Sequence, residues 1–295
     1  MELKVTADFR DRVVVVTGGA RGMGRAYVRA FLSDGAKVVA TDKSWEGVDD
    51  FEAELQGQEK NVLMAEMDVT NDAQIDQTYK ATLDKFGTVD VLVNNAAMRQ
   101  RDLFPPGGRT TTLQTKDSDW ERLFGVNVFG VLKVIRRFIQ PMIEKRKGSI
   151  ISIVSSGLLH HSHGGGYVAL RPNSREMPYM SSKAALATLS FYLADEVKEH
   201  NVAVNIIIPG HTRTTGFDEQ NRARMAAGST RRGPQPMVPE HVAPLVQYLA
   251  SQDASGITGK MFDTMQWNIE HGLGGQETWQ DKSFSYDALL ANQVR

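Results

Sequence analysis

The sequence predicts an α/β fold: a doubly wound, mainly parallel sheet of seven strands with helices on both faces. Two observations predict it: short apolar runs alternate with segments of helical length, and the runs are unbroken stretches rich in Val and Ile. Such runs are typical of strands buried on both faces of a parallel sheet. The predicted strands lie within residues 13–18, 37–42, 61–69, 89–97, 148–156, 202–210 and 259–264, and the clearest helical segments are 22–35 and 118–145.

Composition narrows the functional class. The 34 basic and 35 acidic residues leave a net charge of −1, which gives no broad attraction to nucleic acid or to an anionic membrane. Cysteine is absent, so disulfides, thiolate nucleophiles and thiolate metal sites are excluded. The sequence shows neither a signal-like amino terminus nor a run of about 18 apolar residues. We expect a cytoplasmic protein that acts on a small molecule, with one domain at 1–266 and a carboxyl-terminal extension at 267–295.

Three polar stretches that contain Gly or Pro leave the carboxyl ends of predicted strands, at 98–117, 157–178 and 210–239. Open α/β sheets bind ligands at this edge, so we expect these stretches to be substrate loops. Their candidate substrate contacts are His160, Tyr167 and His211, and their other charged or titratable side chains include Arg99, Arg101, Arg109, His161, His163 and Arg213. Such side chains suit an oxygen-rich or anionic substrate, whereas "HHSH" offers too few ligands in a defined geometry for a metal site.

The turn after the first strand has the pattern of a phosphate-binding loop. In "TGGARGMG", residues 17–24, the glycines permit a tight turn, a close approach of the backbone to a phosphate, and close packing of helix on strand. These glycines are Gly18, Gly22 and Gly24. The pyrophosphate of a dinucleotide is therefore expected at the amino end of the following helix.

Asp42 ends the second predicted strand. Its spacing from the glycine turn is the one at which dinucleotide-binding proteins place a carboxylate for the hydroxyls of the adenosine ribose. The negative charge would repel a 2′-phosphate, which favours NAD over NADP. Arg21 and Lys43 flank the same place and could meet a phosphate, so NADP stays an alternative.

Further motifs follow in order along the chain: "NNAA" at 94–97, "VNVFG" at 126–130, serines at 155–156 and "YMSSK" at 179–183. With the glycine turn, they make the chain resemble the classical short-chain dehydrogenase/reductase family over about residues 10–266. The resemblance implies a Rossmann-type fold and transfer of a hydride between NAD(P) and a secondary alcohol or ketone, here a polar or cyclic small molecule. It also implies a homodimer or homotetramer, joined through the helices that carry the Asn and Tyr motifs.

The resemblance also implies roles for the cofactor cleft. Asp68 matches the family's adenine-side aspartate, and Thr214 matches the residue that meets the nicotinamide carboxamide. Ala97 stands where the family has the glycine of "NNAG", a mild departure that narrows the cleft slightly. The implied cofactor-binding set is Gly18, Arg21, Gly22, Met23, Gly24, Asp42, Asp68, Val69, Asn95, Ala96, Ala97, Tyr179, Lys183, Pro209, Gly210, Thr212 and Thr214.

The catalytic set implied by the resemblance is centred on Tyr179 as general acid/base. A phenol has a reference pKa of about 10, which must fall toward neutrality, and a nearby cation favours the phenolate. Lys183 would lower that pKa and hold the nicotinamide ribose. Ser155, with Ser156 as the alternative register, would bond the substrate oxygen, and Asn127 would anchor a water in the proton relay.

Tyr167 is a competitor for the role of the catalytic tyrosine, because the family's usual spacing from serine to tyrosine is shorter and Arg171 follows it by four residues. Arg does not readily replace Lys there, since guanidinium is a planar and permanently charged fork. Pro172 also discourages a helix at that point. We therefore assign Tyr179, preceded by an inserted segment, and leave Tyr167 as a possible substrate contact.

Two other classes share part of this pattern. A catalytically silent NAD-binding redox sensor of the same fold would bind cofactor without turnover, but the complete Ser, Tyr, Lys and Asn set argues against it. A methyltransferase would share the glycine turn and the acid after the second strand but has no reason to carry "YMSSK". The extension at 267–295 is predicted to pack over the active site of its own or a neighbouring subunit.

Overall fold

A computed structural model describes residues 8–104, 110–158, 176–226, 228, 232–233 and 235–291. Several predicted site residues lie outside these ranges, and they are Arg109, His160, His161, His163, Tyr167 and Arg171.

The centre of the molecule is one sheet of seven strands, in the order β3-β2-β1-β4-β5-β6-β7. Every pair of neighbouring strands is parallel. The predicted fold class is thereby confirmed. The strands are β1 (Val13–Thr17), β2 (Lys37–Asp42), β3 (Val62–Glu66), β4 (Val91–Asn94), β5 (Gly148–Ile153), β6 (Val202–Ile208) and β7 (Met261–Asp263).

Helices connect the strands and cover the sheet. Up to β5 they are α1 (Gly22–Ser33), α2 (Asp49–Leu55), α3 (Asp72–Phe86), α4 (Gln100–Leu103), α5 (Asp117–Phe124), α6 (Val131–Phe138) and α7 (Gln140–Glu144). Beyond β5 they are α8 (Tyr179–Glu196), α9 (Thr215–Ala226), α10 (Ala243–Ala250), α11 (Thr264–Glu270), α12 (Gln276–Trp279) and α13 (Tyr286–Ala291). No helix in the described part of the chain combines the length and apolar character needed to cross a membrane.

The core explains why the strand sequences are continuous apolar runs. Val14 and Val16 of β1 belong to one buried cluster, while Val13 and Val15 belong to another. Successive side chains of a strand point to opposite faces, so these two clusters lie on the two faces of the sheet. Both faces are therefore buried, which requires apolar residues at every position of the strand.

A cleft lies at the carboxyl end of the sheet. β1 pairs with β2 on one side and with β4 on the other, so the strand order reverses at β1. Such a reversal places the loops after β1 and β4 on either side of a cleft. Several predicted strands were longer than the observed ones, because their last residues leave the sheet, and those that follow β3 and β4 line the cleft. These strands are the ones predicted at 61–69, 89–97, 148–156 and 202–210.

The predicted helix at 118–145 is interrupted rather than continuous. α5 is followed by a π-helical turn, Gly125–Gly130, before α6 begins. Inside this turn the side chain of Asn127 is hydrogen-bonded to the backbone of Met98. The bond lies where the backbone changes from α-helical to π-helical hydrogen bonding. Pro141 sits in the first turn of α7, where its missing N–H breaks the hydrogen-bond ladder.

Candidate active site

Two constraints make glycine necessary in the turn after β1. Gly18 and Gly22 have positive φ angles of 67° and 53°, a region that glycine adopts readily. A Cβ placed on Gly18 would lie 2.9 Å from the Cα of Ala96, and one on Gly24 would lie 1.9 Å from the carbonyl oxygen of Gly18. The backbone of the turn is therefore packed directly against the backbone of the loop after β4. Helix α1 begins within the same turn.

Asn95 fixes the two sides of the cleft to each other. Its side-chain amide donates to the carbonyl oxygens of Thr17 and Gly18, both at 3.0 Å. The hydroxyl of Thr17 accepts from the backbone N–H groups of Asn95 at 3.0 Å and Ala96 at 3.1 Å. These bonds hold the glycine turn against the "NNAA" segment.

Asp42 and Arg21 occupy the place where an adenosine ribose is expected. The carboxylate of Asp42 accepts from the backbone N–H of Ala20 at 3.1 Å. The guanidinium of Arg21 donates to the carbonyl oxygen of Ser44 at 3.2 Å and also to that of Glu46. The acid is thus held at the end of β2, while the neighbouring cation is bonded to backbone carbonyls.

A cavity of about 380 Å³ opens between these walls. Many of the predicted cofactor contacts line it, namely Gly18, Arg21, Gly22, Met23, Asp42, Asp68, Val69, Asn95, Ala96, Ala97 and Thr214. The other predicted contacts are outside its lining: Gly24, Tyr179, Lys183, Pro209, Gly210 and Thr212. A dinucleotide fits this donor set, because backbone N–H groups at a helix start suit phosphate and a carboxylate suits ribose hydroxyls.

Tyr179, Ser155 and Lys183 lie where the start of α8 meets the end of β5. Tyr179 is the first residue of α8, and its side chain shares a hydrogen bond with the side chain of Ser155. Lys183, one turn further along α8, is buried, and its Nζ donates to the carbonyl oxygen of Ile153 at 2.8 Å. The start of α8 is therefore fastened to the end of β5, and it is Ser155 that the structure pairs with Tyr179.

The electrostatic environment of this group includes a cation from the loop after β4. Burial raises the pKa of Tyr179 above its ordinary value, while the charge of Arg99 and the bond with Ser155 act in the opposite direction. Burial, followed by the like charge of Arg99, lowers the pKa of Lys183 to about 7. Arg99 therefore stabilises the anionic form of the phenol and the neutral form of the amine.

Asn127 links the loop after β4 to α8. Its side-chain oxygen accepts from the N–H of Met98 at 2.8 Å, and its amide donates to the carbonyl oxygen of Met98 at 2.9 Å. The same amide donates to the Oγ of Ser182 at 3.0 Å, and Asn127 is fully buried. This side chain thus fixes the position of α8 relative to the end of β4.

Gln100 is a second link of this kind, and the sequence analysis missed it. The side chain is buried; its Nε2 donates to the carbonyl oxygen of Met177 at 2.5 Å, and its Oε1 accepts from the N–H of Tyr179 at 3.3 Å. Nothing in the local sequence signals this contact, since Gln100 falls in a stretch interpreted as a substrate loop. That stretch instead begins with α4, whose amino end is capped by Asp102.

The loop after β6 forms the remaining wall. Thr214 accepts a hydrogen bond from Nη1 of Arg99 at 3.3 Å, and Thr214 precedes α9. His211 is exposed and packs its ring edge-on against Phe217 at 5.0 Å, outside the cavity lining. Among the described residues, no group of three or more His, Cys, Asp or Glu side chains could hold a metal ion.

Comparison with known proteins identifies the family. Residues 12–225 match the model of the short chain dehydrogenase family. The chain belongs to the short-chain dehydrogenase/reductase family. It is therefore an oxidoreductase that acts on CH–OH groups of small molecules, as an alcohol dehydrogenase or ketone reductase with a nicotinamide cofactor.

Individual relatives cover nearly the same range of the chain. It is 49% identical to fluoren-9-ol dehydrogenase from Terrabacter sp. (strain DBF63) over 276 residues, which is 94% of this chain and 77% of the relative. It is 30% identical to the 3-oxoacyl-[acyl-carrier-protein] reductase of Thermotoga maritima, over 85% of this chain and 94% of the relative. It is also 30% identical to meso-2,3-butanediol dehydrogenase from Serratia marcescens, over 85% and 92% respectively.

Proposed function

We propose that this enzyme interconverts a cyclic secondary alcohol and its ketone with NAD, using Tyr179 as the general acid/base. The observation that carries the proposal is the hydrogen bond between Tyr179 and Ser155, with Lys183 one helical turn away. A phenol and a hydroxyl that already share a hydrogen bond can both reach one substrate oxygen.

In the proposed oxidation, Tyr179 accepts the proton of the alcohol while Ser155 holds the same oxygen as it becomes a carbonyl. A nicotinamide cofactor, when bound, would supply the acceptor for the hydride that leaves the carbon. Lys183 would hold the cofactor ribose and, in its protonated form, would contribute positive charge near the phenol. Asn127 keeps α8 in register with the loop after β4. In the proposal it also anchors a water through which the proton reaches solvent.

The proposed proton transfer has a direction-dependent response to pH. Oxidation needs the phenolate of Tyr179, whose pKa burial raises, so the rate of oxidation should increase as the solution becomes more alkaline. Ketone reduction needs the neutral phenol and should show the opposite trend.

NAD is the proposed cofactor in preference to NADP. The support is the carboxylate of Asp42, which lines the cavity at the end of β2 and would face a 2′-phosphate with like charge. Of the two cations that flank this place, Arg21 donates to the carbonyl oxygens of Ser44 and Glu46 instead, while Lys43 also lines the cavity.

A bulky cyclic alcohol is the proposed substrate class. The support is the 49% identity to a protein named for fluoren-9-ol, together with the apolar side chains of Met98 and Val126 in the cavity wall. The test is to mix the purified enzyme with NAD or NADP and fluoren-9-ol, 2,3-butanediol or cyclohexanol, and to follow absorbance of the reduced nicotinamide. We expect turnover with NAD and the tricyclic alcohol. Cofactor binding without turnover of any alcohol would indicate the redox-sensor alternative.

A homodimer or homotetramer is the proposed assembly, with residues 1–266 as one domain and the cytoplasm as its location. The assembly is supported by three large apolar side chains that are exposed on the elements carrying the Asn and Tyr motifs, Phe129, Phe191 and Tyr192. Exposed apolar side chains mark an association surface where they form a contiguous patch. Light scattering on a size-exclusion column should give two or four times the chain mass, and a monomer mass would contradict the proposal.

A further inference from the structure

The carboxyl-terminal extension is hydrogen-bonded to residues 236–238, in the segment that follows α9. The N–H of Val238 donates to the carbonyl oxygen of Trp279 at 2.9 Å, and the N–H of Asp281 donates to that of Pro236 at 2.9 Å. Met237 in turn donates to the carbonyl oxygen of His211 at 2.9 Å. Residues from three separate parts of the chain therefore run side by side, with the extension at one edge.

The side chain of Arg213, in the loop before α9, contacts both α9 and the extension. Its Nη2 lies 3.0 Å from Oδ2 of Asp218 in α9, and its Nη1 lies 2.9 Å from Oδ2 of Asp281 in the extension. Nη1 also donates to Oγ of Ser283 at 2.9 Å. The carboxylate side chains are only 16% and 13% exposed, so these ion pairs are screened less than pairs on the open surface.

Apolar side chains close the contact between α9 and the extension. Phe217 of α9 and Phe284 of the extension pack edge-on with ring centroids 5.4 Å apart, and Phe284 packs on Tyr286 at 4.9 Å. Leu289 of α13 belongs to the same buried cluster. The guanidinium of Arg213 lies over the Phe284 ring at 5.3 Å, so the charged and apolar contacts form one unit.

The opposite side of α9 faces the cofactor cavity. Thr214, Thr215 and Gly216, at its amino end, line that cavity. Arg101 packs so closely on Gly216 that a Cβ there would fall 1.9 Å from its Cζ, and its Nη1 lies 2.8 Å from Oε2 of Glu219. Helix α9 is therefore held from the cleft side by α4 and from the outer side by the extension.

We propose that residues 279–289 form an intrachain brace that holds α9 as the wall of the cleft, with Arg213 and Asp281 as its positioning residues. This inference rests on the proposed function, in which Thr214 contacts the cofactor and the loop after β6 contacts the substrate. The contacts that define the brace join residues of one chain. Its role is to set the affinity of the cleft rather than the proton transfer at Tyr179.

Asp281 is the point at which to test the brace. Burial alone would raise the pKa of Asp281, but hydrogen bonds from Ser283 and Arg213 outweigh it and keep the pKa below its ordinary value. The residue is therefore ionised at neutral pH, and Asp281→Asn replaces a charged partner with a neutral one of the same shape. Asp84→Asn is the matched control, since it removes an exposed ion pair with Lys80.

The experiment compares KM for the alcohol, the NAD dissociation constant, kcat and hydrogen exchange of the full-length variants. For Asp281→Asn we expect KM and the dissociation constant to rise by about tenfold, as for one lost charge-assisted bond, with kcat changed less than KM. Exchange in 215–226 should accelerate while exchange in β1 stays unchanged. Asp84→Asn should behave like the wild type.

A second variant keeps the inference testable if Asp281→Asn folds poorly. Ser283→Ala removes one hydrogen bond to Arg213 and should give a smaller change in the same direction. Wild-type values of KM and exchange in both variants would overturn the brace. A wild-type enzyme without alcohol turnover would contradict the proposed function, and exchange and NAD affinity would then still test the brace by themselves.

Discussion

Arg99 lies between two residues that are linked to the start of α8, Gln100 directly and Met98 through Asn127. Its neighbour Met98 is bonded to Asn127, and its neighbour Gln100 is bonded to the N–H of Tyr179. The backbone of Arg99 is fixed by Asp102, whose carboxylate accepts its N–H at 2.6 Å. A permanent cation is thus positioned beside the acid/base group by contacts that leave its side chain in the cleft.

Arg99→Met should move the pH profile of alcohol oxidation. Because the charge of Arg99 opposes the effect of burial on Tyr179, its removal leaves the pKa of the phenol higher, and the rising limb of kcat against pH should shift to higher pH. Arg99→Lys retains the charge and should keep the limb near its original position. Superimposable wild-type and Arg99→Met profiles would show that Arg99 does not act on the phenol.

At the scale of single residues, the sequence predicted many side chains of the candidate active site but not the hydrogen bonds between them. The "YMSSK" and "NNAA" motifs identify which side chains to examine. Gln100 and Arg99 act through partners that are 79 and 115 residues away in the chain. Residues so far apart in the sequence come into contact only when the sheet has formed. Such contacts produce no periodic pattern in the local sequence, so they could not be predicted from it.

At the scale of elements, the strands were predictable because burial on both faces imposes an unbroken apolar pattern. The segment at 118–145 is helical over most of its length, as predicted, but the prediction did not include the π-helical turn at Gly125–Gly130, through which the amphipathic periodicity continues. The deviation places Asn127 against Met98 and Ser182. Gly130 also packs closely there, as a Cβ would lie 2.8 Å from Cγ2 of Val69.

The turn between β1 and α1 leads to a prediction about cofactor binding. Gly24→Ala places a methyl group 1.9 Å from the carbonyl oxygen of Gly18, so the turn must shift and its N–H groups leave the phosphate position. We expect NAD affinity measured by calorimetry to fall by at least about tenfold. Gly125→Ala is the control, because nothing lies within 4 Å of its added carbon, and an unaffected Gly24→Ala enzyme would contradict the role of the turn.

His241 connects the segment after β6 with the turn before α10. It is fully buried, with Nδ1 2.7 Å from the carbonyl oxygen of Val238 and Nε2 2.6 Å from that of Pro209. Burial lowers the pKa of His241 below its ordinary value, although the two carbonyl groups and the charges of Glu240 and Asp263 act in the opposite direction.

The lowered pKa of His241 predicts a pH-dependent stability. As pH falls through about 6.5, the unfolded chain takes up a proton at this residue before the folded chain does, so acidification favours unfolding. Denaturant unfolding between pH 8 and pH 5 should therefore show a steeper loss of stability for the wild type than for His241→Asn. If the free energy of unfolding of the two proteins depended on pH with the same slope, a lowered pKa of His241 would be contradicted.

At the scale of the whole molecule, the parallel sheet brings separate stretches of sequence to one edge. The turn after β1, the loop after β4, the end of β5, the start of α8 and the loop after β6 all contribute to the cleft. The extension beyond β7 adds a layer behind α9, which the sequence predicted only as packing near an active site. Its partners could not be assigned in advance because the aromatic and charged residues of the extension have no fixed spacing.

The central claim is that Tyr179, rather than Tyr167, is the general acid/base, and one comparison tests it most directly. Tyr179→Phe and Tyr167→Phe are assayed for alcohol oxidation with NAD, with NAD binding measured on the same samples. We expect Tyr179→Phe to bind NAD like the wild type while kcat falls by at least about 100-fold, the usual contribution of a positioned general base. Tyr167→Phe should retain kcat. Turnover retained in Tyr179→Phe and lost in Tyr167→Phe would contradict the account.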